Sequence, residues 1–399
     1  MRIALVTNTP PPYRVPIFAK LACTKGVEFH AIFCARREPN RAWDLPPMDF
    51  AHHFLRERFF TVDDRYIHSN PDVIPLLLRL RPDVVITDGF NPTHLYAFVT
   101  ARMRGWPHVA MTDGTWQSEQ ALSLKHRLVR RLVFRSTRAF VPASEGGEKL
   151  FRAYGVPAEA CFYSWLCIDN QRFHPGVSGE TELVSERPYD FIFCGRFEPA
   201  KAPLFALSVA REAALRLRRK TRLLFVGSGS LESLLHTQAS REAEWVETTF
   251  HGFARQAELP GLYRSAKLFL FPTHGDVWGV VANEACAAGL PVMVTPAAGV
   301  AGELVANEIN GFVRTLDLGQ WADCAQRLLS DTALWQSFSE RSLQRVARYD
   351  FDSAAEGLLA ACRYALGERL RGQLVKSSAV NAASPASSSA ATSTVKRLK

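Results

Sequence analysis

Short apolar runs alternate with amphipathic stretches along most of the chain. Runs such as Ile3 to Thr7 and His108 to Thr112 have the length and composition of buried strands. Stretches such as Val15 to Cys23 and Glu145 to Tyr154 place apolar residues at the three- and four-residue steps of a helix. Strands that alternate with helices form parallel sheets covered on both faces. The other strands predicted in the first half are Phe29 to Cys34, Val84 to Thr87 and Ala139 to Pro142, and the other helices are His94 to Arg104 and Ser123 to Thr137.

The second half of the chain repeats this pattern. Two successive sets of alternating strands and helices indicate an α/β protein with two Rossmann-like domains. We place the boundary just after Ile168, which predicts a first domain over residues 1–168 and a second over residues 169–350. The strands predicted in the second set are Phe191 to Cys194, Leu223 to Val226, Thr248 to His251, Leu268 to Phe271 and Val292 to Thr295.

The pattern changes again near the end of the chain. Residues 351–370 predict one more helix, with Leu358, Leu359 and Tyr364 on its apolar side. The stretch from Ser377 to Thr394 is rich in Ser and Ala and has no apolar periodicity. Such a segment cannot bury enough surface to offset the entropy of ordering the chain. We therefore predict that residues 371–399 are disordered.

The composition fits a globular protein of two or three domains, with 47% hydrophobic and 22% charged residues in 399 positions. No apolar run reaches the ~18 residues that span a bilayer, and the opening run is too short for a signal peptide. The eight cysteines form no C-x-x-C pair and lie mostly in apolar runs, which predicts reduced core thiols in a cytoplasmic protein. The net charge of +9 favours anionic partners.

Two acids, Asp276 and Glu284, stand eight positions apart where the apolar run ending at Pro272 gives way to a helical run starting near Gly279. In an open α/β sheet, ligands bind at the carboxyl ends of the strands. The first amides of a helix suit a phosphate group because they are unpaired and carry partial positive charge. Carboxylates suit the hydroxyls of a sugar or a ribose. The alternative is a helix cap beside a solvated glutamate.

Other motifs occur in order around this acid pair. Gly195, Arg196 and Lys201 follow the first strand of the second domain, and both cations suit phosphate oxygens. An ordinary surface loop with two cations is the alternative. The remaining motifs are the turn Gly227-Ser228-Gly229, the segment Phe250 to Phe253, and the run Ala297 to Val305 with the later turn Asn310-Gly311.

Taken together, these motifs over roughly residues 189–315 resemble the family 4 glycosyltransferases, retaining enzymes of the GT-B fold that use nucleotide sugars. The resemblance implies two Rossmann-like domains facing across a cleft, with the C-terminal helix crossing back to the first domain. It also implies transfer of a sugar from a nucleotide-diphosphate donor with retention of anomeric configuration, and neither a metal ion nor a cofactor. The sequence departs from the family at Asp276, where Glu is usual.

The resemblance also assigns roles to individual residues. Arg196 and Lys201 would stabilise the donor diphosphate, Asp276 would fix the sugar, Glu284 would fix the ribose, and the segment around Phe253 would lie near the nucleobase. The acceptor would attack the front face of the sugar, and the leaving diphosphate would take the acceptor proton. The other candidates for donor binding are Gly195, Val277, Trp278, Gly279 and Val280.

The first domain would then bind the acceptor. A triple proline follows its first strand where many family members have a Gly-Gly pair, and Tyr13 and Arg14 come next as candidates for acceptor contacts. This loop resembles that of bacterial members acting on lipopolysaccharide and exopolysaccharide precursors, which implies a saccharide or lipid-linked saccharide acceptor. A stiff turn is the alternative. Where the family often has a histidine, this chain has Asp113, a candidate for contact with the sugar or the acceptor.

The run from Ser123 to Arg138 is basic and amphipathic. Leu124, Leu128, Leu132 and Val133 form an apolar stripe beside the basic residues. Such a helix can lie on an anionic membrane surface, which predicts peripheral contact with the inner face of the cell membrane. A core-packed helix with a solvated basic face is the alternative. The basic residues are Arg127, Arg130, Arg131, Arg135 and Arg138.

Other functions fit the sequence less well. A nicotinamide oxidoreductase needs a G-x-G-x-x-G motif after its first strand, and the segment Asn8 to Pro12 contains no glycine. Nucleic-acid binding is disfavoured because no aromatic residues interleave with the basic ones. Two alternatives stay open: a nucleotide-sugar epimerase on the same fold, and a catalytically silent nucleotide-sugar-binding protein, which Asp276 in place of Glu would suit.

Overall fold

The computed structural model of the chain describes residues 1–39, 47–62, 65–120, 122–178 and 186–367. The predicted disordered tail, residues 371–399, lies outside the described residues. The strands are β1 (Arg2–Thr7), β2 (Glu28–Phe33), β3 (His52–Phe54), β4 (Phe59–Val62), β5 (Arg65–His68), β6 (Val84–Asp88), β7 (His108–Thr112), β8 (Ala139–Pro142), β9 (Tyr189–Cys194), β10 (Thr221–Val226), β11 (Val246–Gly252), β12 (Ala266–Phe271), β13 (Val292–Val294) and β14 (Gly311–Val313).

Helices cover both sheets and connect most of the strands. They are α1 (Val15–Cys23), α2 (Val73–Leu80), α3 (Pro92–Arg104), α4 (Trp116–Gln120), α5 (Leu124–Arg135), α6 (Glu145–Ala153), α7 (Asn170–Phe173), α8 (Pro203–Leu217), α9 (Glu232–Arg241), α10 (Leu259–Arg264), α11 (Val280–Ala287), α12 (Leu318–Ser330), α13 (Thr332–Val346) and α14 (Phe351–Ala365).

Two six-stranded sheets form the framework of the protein. The first runs in the order β3-β2-β1-β6-β7-β8 and the second in the order β11-β10-β9-β12-β13-β14. All neighbouring strands within each sheet are parallel. In both sheets the direction of winding reverses once, between β1 and β6 in the first and between β9 and β12 in the second. A ligand crevice opens beyond the carboxyl ends of the strands at such a reversal.

Buried apolar strands explain why the sheets form at these positions. Ile3, Leu5 and Val84 in the first sheet and Phe269 and Val292 in the second are fully buried. Packed cores join the two sheets to their helices, and one cluster runs from the first domain into the second. All eight cysteines are free thiols, and five of them lie buried in these cores.

Helix α14 leaves the second domain and packs on α1 and β8 of the first. Its Gly357 permits this approach, because a Cβ atom at that position would lie 1.7 Å from the carbonyl oxygen of Tyr163. Close by, the chain also crosses between domains at Asn170, whose side chain donates to the carbonyls of Val346 at 3.1 Å and Tyr349 at 3.0 Å. The two crossings therefore lie side by side and are bonded to each other.

Candidate functional site

The acid pair and the cations predicted to bind a donor meet at the reversal point of the second sheet. Gly195 and Arg196 follow β9, and the loop that carries Asp276 follows β12, which is the neighbour of β9. Arg196 is exposed to solvent at this edge. The strand order thus brings together residues that stand about eighty positions apart in the sequence.

Lys201 and Asp276 form an ion pair at the centre of this edge. The Lys201 Nζ atom lies 2.6 Å from Asp276 Oδ2, and the two side chains are 19% and 23% exposed. The other carboxylate oxygen of Asp276 accepts a hydrogen bond from the Trp278 amide at 3.2 Å. Lysine has three N–H donors, so Lys201 can hold Asp276 and still donate to a phosphate oxygen. The pair is therefore oriented and open to a ligand.

Helix α11 starts directly behind this pair. Its first residue follows Gly279, whose φ of 104° lies in the left-handed region and where a Cβ atom would lie 2.4 Å from the Phe271 ring. No described side chain caps this helix end. The Ala282 amide donates to the Gly279 carbonyl at 2.9 Å, so the amides of Val280 and Val281 are the ones available to an anion. Val277 before it is 44% exposed, and Phe253, which follows β11, is 60% exposed. An exposed aromatic ring offers a stacking surface to a nucleobase.

Trp278 has a different environment from its neighbours in this loop. It is 1% exposed, and its Nε1 donates to Asn283 Oδ1 at 2.8 Å. The Asn283 amide donates in turn to the Leu166 carbonyl of the first domain at 3.3 Å. The side chain of Trp278 therefore supports the contact between the domains, while its amide and carbonyl bond Asp276 and Val300.

Glu284 lies on α11 and is 7% exposed. Its Oε2 atom accepts a hydrogen bond from the Tyr263 hydroxyl at 2.8 Å. Burial raises the pKa of Glu284 to about 7, and the hydrogen bond from Tyr263 and the charge of Arg172 act in the opposite direction. A carboxylate with such a pKa changes charge near neutral pH, which makes it sensitive to a polar ligand.

The acceptor candidates of the first domain also come together. Arg14 is 1% exposed, and its guanidinium donates to Asp113 at 2.5 Å and to the Ser164 carbonyl at 2.9 Å. Asp113 follows β7 and is 28% exposed. Tyr13 is half-buried on the loop after β1. Arg14 is thus placed to orient Asp113, and Asp113 is the more accessible of the two.

Asp88 is a candidate that the sequence analysis missed. It ends β6, and its carboxylate lies 3.2 Å from the Thr7 hydroxyl at the end of β1, which is the reversal point of the first sheet. Burial, with the nearby charge of Asp113, raises the pKa of Asp88 to about 7. The sequence contains one feature that could have indicated Asp88: it directly follows the apolar run from Val84 to Thr87, which is a predicted strand.

Glu303, in the Ala297 to Val305 motif, joins the two domains. It is 6% exposed, and its Oε2 accepts from the backbone amide of Glu145 at the start of α6, at 2.9 Å. Burial and, to a smaller extent, the charge of Glu145 raise the pKa of Glu303 to about 8. Hydrogen bonds from backbone amides and the charge of Arg348 lower this pKa but do not cancel the rise. This contact caps a helix of the first domain with a carboxyl group of the second.

The free energy of unfolding should therefore depend on pH through Glu303. Because the folded protein holds the proton more tightly than the unfolded chain, this contribution is present below about pH 4.5 and is lost as pH rises through about 8. Glu303→Gln should remove this dependence, so that between pH 5 and pH 9 its free energy of unfolding rises relative to that of wild type by on the order of 4 kcal/mol. Urea unfolding at both pH values measures this, with Glu340→Gln on the exposed face of α13 as the control. Equal pH dependence in wild type and Glu303→Gln would contradict the assignment.

Within the described ranges, no group of three or more His, Cys, Asp or Glu side chains is arranged to hold a metal ion. The polar groups around the donor edge are cations, amides and hydroxyl-binding carboxylates. They suit a diphosphate and the hydroxyls of a sugar.

Comparison with known proteins agrees with this geometry. Residues 180–345 match the family model described as glycosyl transferases group 1. The D-inositol 3-phosphate glycosyltransferase of Nocardia farcinica is 28% identical over 249 residues, which are 60% of this chain and 55% of that protein. The chain thus spans about half the length of the curated relatives it matches.

Solved structures match over nearly the whole chain. HepE of Anabaena, crystallised with UDP and glucose, has a TM-score of 0.67 at 16% identity and covers 90% of this chain and 98% of its own. WaaG, a glycosyltransferase involved in lipopolysaccharide biosynthesis, has a TM-score of 0.60 at 17% identity with the same coverage. The predicted fold and the predicted resemblance to glycosyltransferases are confirmed.

Proposed function

We propose that this chain, whose residues 180–345 form a glycosyl transferases group 1 unit, transfers a sugar from a nucleotide-diphosphate donor to a hydroxyl of a saccharide or lipid-linked saccharide. The observation that carries the proposal is the Lys201–Asp276 ion pair at the reversal point of the second sheet, directly before the amides that start α11. A nucleotide sugar presents a diphosphate, which cations and helix amides can bind. Next to the diphosphate it presents sugar hydroxyls, which a carboxylate can bind.

The chemistry then rests on electrostatics. The bond between the anomeric carbon and the leaving phosphate breaks while the acceptor oxygen bonds to that carbon on the same face, and the acceptor proton passes to the leaving phosphate oxygen. Arg196, Lys201 and the amides of α11 stabilise the negative charge that grows on the leaving group. Asp276 holds sugar hydroxyls and Glu284 holds the ribose. In this proposal the configuration is retained, and the two cations serve where other transferases use a metal ion.

The acceptor edge supports an acceptor that presents hydroxyls. The described residues there include two carboxyl groups, Asp88 and Asp113, and the cation Arg14 is already paired with Asp113. A phosphate group would be repelled by these carboxyl groups wherever they are ionised, which for Asp88, with its pKa raised to about 7, is above neutral pH. The proposed acceptor therefore differs in charge from the inositol 3-phosphate named for the relatives. A saccharide of a cell-surface polysaccharide or lipopolysaccharide precursor has the required hydroxyls.

The test is release of nucleoside diphosphate from a panel of nucleotide sugars, starting with UDP-glucose, because HepE was crystallised with UDP and glucose. Each donor is combined with saccharide, lipid-linked saccharide and inositol 3-phosphate acceptors, with and without a chelator. We expect a product with the anomeric configuration of the donor, in the presence of the chelator, from an unphosphorylated acceptor. Donor binding without release would instead indicate a silent binding protein, and an isomerised free nucleotide sugar would indicate an epimerase.

Helix α5 supports a second element of the proposal, contact with an anionic membrane. The predicted apolar stripe is divided in two by the fold. Val133 is buried with Phe134 in the core, whereas Leu124, Leu128 and Leu132 are 81%, 58% and 56% exposed. The structure therefore corrects the prediction of a single stripe: these leucines face solvent together with basic residues. No described helix is long and apolar enough to cross a membrane.

The basic residues of α5 also differ in availability. Arg130 forms an ion pair with the buried Glu119 and lies 4.6 Å from the Phe90 ring centre, so it holds the helix to its domain. Lys125, Arg131 and Arg135 are exposed. Exposed leucines that alternate with cations match the interface of an anionic bilayer, where each cation contributes on the order of 1 kcal/mol.

We expect co-sedimentation with vesicles containing anionic lipid at low salt, and weaker binding at high salt or with neutral vesicles. Changing Leu124, Leu128 and Leu132 to Ser, or Lys125, Arg131 and Arg135 to Ser, should reduce binding at least about tenfold. The matched control changes Val99 and Met103 of α3 to Ser, since these apolar side chains are 50% and 80% exposed. Equal binding by all three variants would show that α5 does not carry the contact.

A further inference from the structure

We propose that the Tyr263 hydroxyl is a positioning group that favours the ionised form of Glu284 and directs it toward the donor ribose. The inference rests on the proposed role of Glu284 in donor binding. It adds a residue with no direct donor contact to the machinery that binds the nucleotide.

The hydroxyl of Tyr263 is fixed by its surroundings. Tyr263 lies on α10 and is fully buried, with its ring centre 5.9 Å from that of Phe173 and 5.6 Å from that of Phe269. The hydroxyl lies 2.8 Å from Glu284 Oε2. An aromatic ring held between two others has little freedom to turn, so the hydroxyl holds one carboxylate oxygen and leaves the other to a ligand.

The charge of Glu284 is finely balanced in this site. The groups that face it are Tyr263 on α10, Cys194 at the end of β9 and the more distant Arg172 on α7. Burial favours the protonated carboxyl group, and the Tyr263 hydrogen bond favours the carboxylate. An ionised carboxylate accepts hydrogen bonds from both hydroxyls of a diol, whereas a protonated one uses an oxygen as a donor. Loss of the hydroxyl should therefore weaken diol binding most at neutral pH, where the balance is closest.

A purely structural role for Tyr263 predicts a different result. If the ring merely fills the core between Phe173 and Phe269, phenylalanine replaces it without effect on nucleotide binding. If the hydroxyl positions Glu284, the effect of Tyr263→Phe has a pH dependence and requires the ribose hydroxyls. The pH dependence and the need for ribose hydroxyls therefore distinguish a positioning role from a structural one, even when the stability of the variant changes slightly.

The experiment measures binding of UDP, GDP and ADP to the full chain by calorimetry between pH 6 and pH 9. For the diphosphate that binds most tightly, Tyr263→Phe should raise Kd about tenfold at pH 7 and shift the rise in affinity with pH to higher pH. Wild type and Tyr263→Phe should bind the 2′,3′-dideoxy form of that diphosphate with equal Kd values, because it lacks the ribose hydroxyls. The matched control is Tyr96→Phe, which removes a hydroxyl that lies 3.3 Å from Ser69 on the first domain.

A double-mutant cycle completes the test. In the Glu284→Gln background, Tyr263→Phe should cause no further change in Kd and no shift with pH, because the titrating group is gone. Unchanged Kd and pH profile in Tyr263→Phe, beside weaker binding in Glu284→Gln, would overturn this inference alone. Absence of binding of all three diphosphates to the wild type would overturn the proposed function and this inference together.

Discussion

Lys201→Ala should lower the rate of sugar transfer at least about a hundredfold without unfolding the protein. The Lys201 ammonium lies 2.6 Å from Asp276 at the start of α11, where the leaving diphosphate gains charge in the proposed reaction. A cation that contacts the leaving group only as charge develops contributes about 3 kcal/mol to the barrier. Arg196→Ala should have an effect of similar size, because Arg196 is exposed at the same edge.

The measurement is steady-state turnover with saturating donor, with circular dichroism as the check on folding. Lys220→Ala is the matched control, since Lys220 is an exposed lysine of the same domain that precedes β10 at the opposite edge of the sheet. A lower turnover number with a donor KM close to wild type would identify stabilisation of the transition state. Turnover close to wild type in both Lys201→Ala and Arg196→Ala would exclude these cations from the diphosphate site.

Asp276→Asn should reduce turnover by about tenfold to a hundredfold, whereas Asp276→Glu should stay active. The carboxylate of Asp276 accepts from Lys201 and from the Trp278 amide, and hydrogen bonds to charged groups contribute about 1.5–3 kcal/mol. Asparagine keeps the shape and loses the charge that holds Lys201. Glutamate keeps the charge, and its extra methylene extends from a partly exposed position.

Both variants are compared with wild type in the same transfer assay, together with Glu284→Gln, which should bind donor more weakly. Rescue by Glu and failure of Asn would assign the role to the charge. If Asp276→Asn and Glu284→Gln bind and turn over donor like wild type, the acid pair is structural. Asp276 would then only order its loop through Lys201 and the Trp278 amide, and Glu284 would only bond the Tyr263 hydroxyl.

The sequence predicted the framework of the fold because the buried strands are short, continuous apolar runs. The predicted bounds of β7, β8 and α1 agree with the structure to the residue. The hairpin of β4 and β5 escaped prediction because β4 is only four residues long and all four of its side chains are exposed, so it has no buried face. The three-residue strand β14 was assigned to a turn because it follows Asn310 and begins with Gly311.

The site was predictable where its residues lie on one element and was not where they meet across the fold. The loop and helix from Asp276 to Glu284 gave both acids, since the spacing of residues along one strand–helix unit is local. The sequence named Lys201 as a donor-site cation but not its ion pair with Asp276, and it missed Tyr263. Both contacts depend on the order of strands and on how α10 packs. The helical period separates Leu128 from Val133, which are about 140° apart around α5. It could not show that the Val133 side packs on the core and the Leu128 side faces solvent.

The two adjacent chain crossings limit how the domains can move. A single linker would allow rotation about any direction, but here the segment at Asn170 and the segment from Val346 to Tyr349 run side by side and share hydrogen bonds. Twisting one domain against the other would pull these bonds apart, while bending both segments together would preserve them. We therefore expect the two domains to move relative to each other mainly by a hinge rotation about the axis through these two segments, which would bring the two sheet edges together or apart.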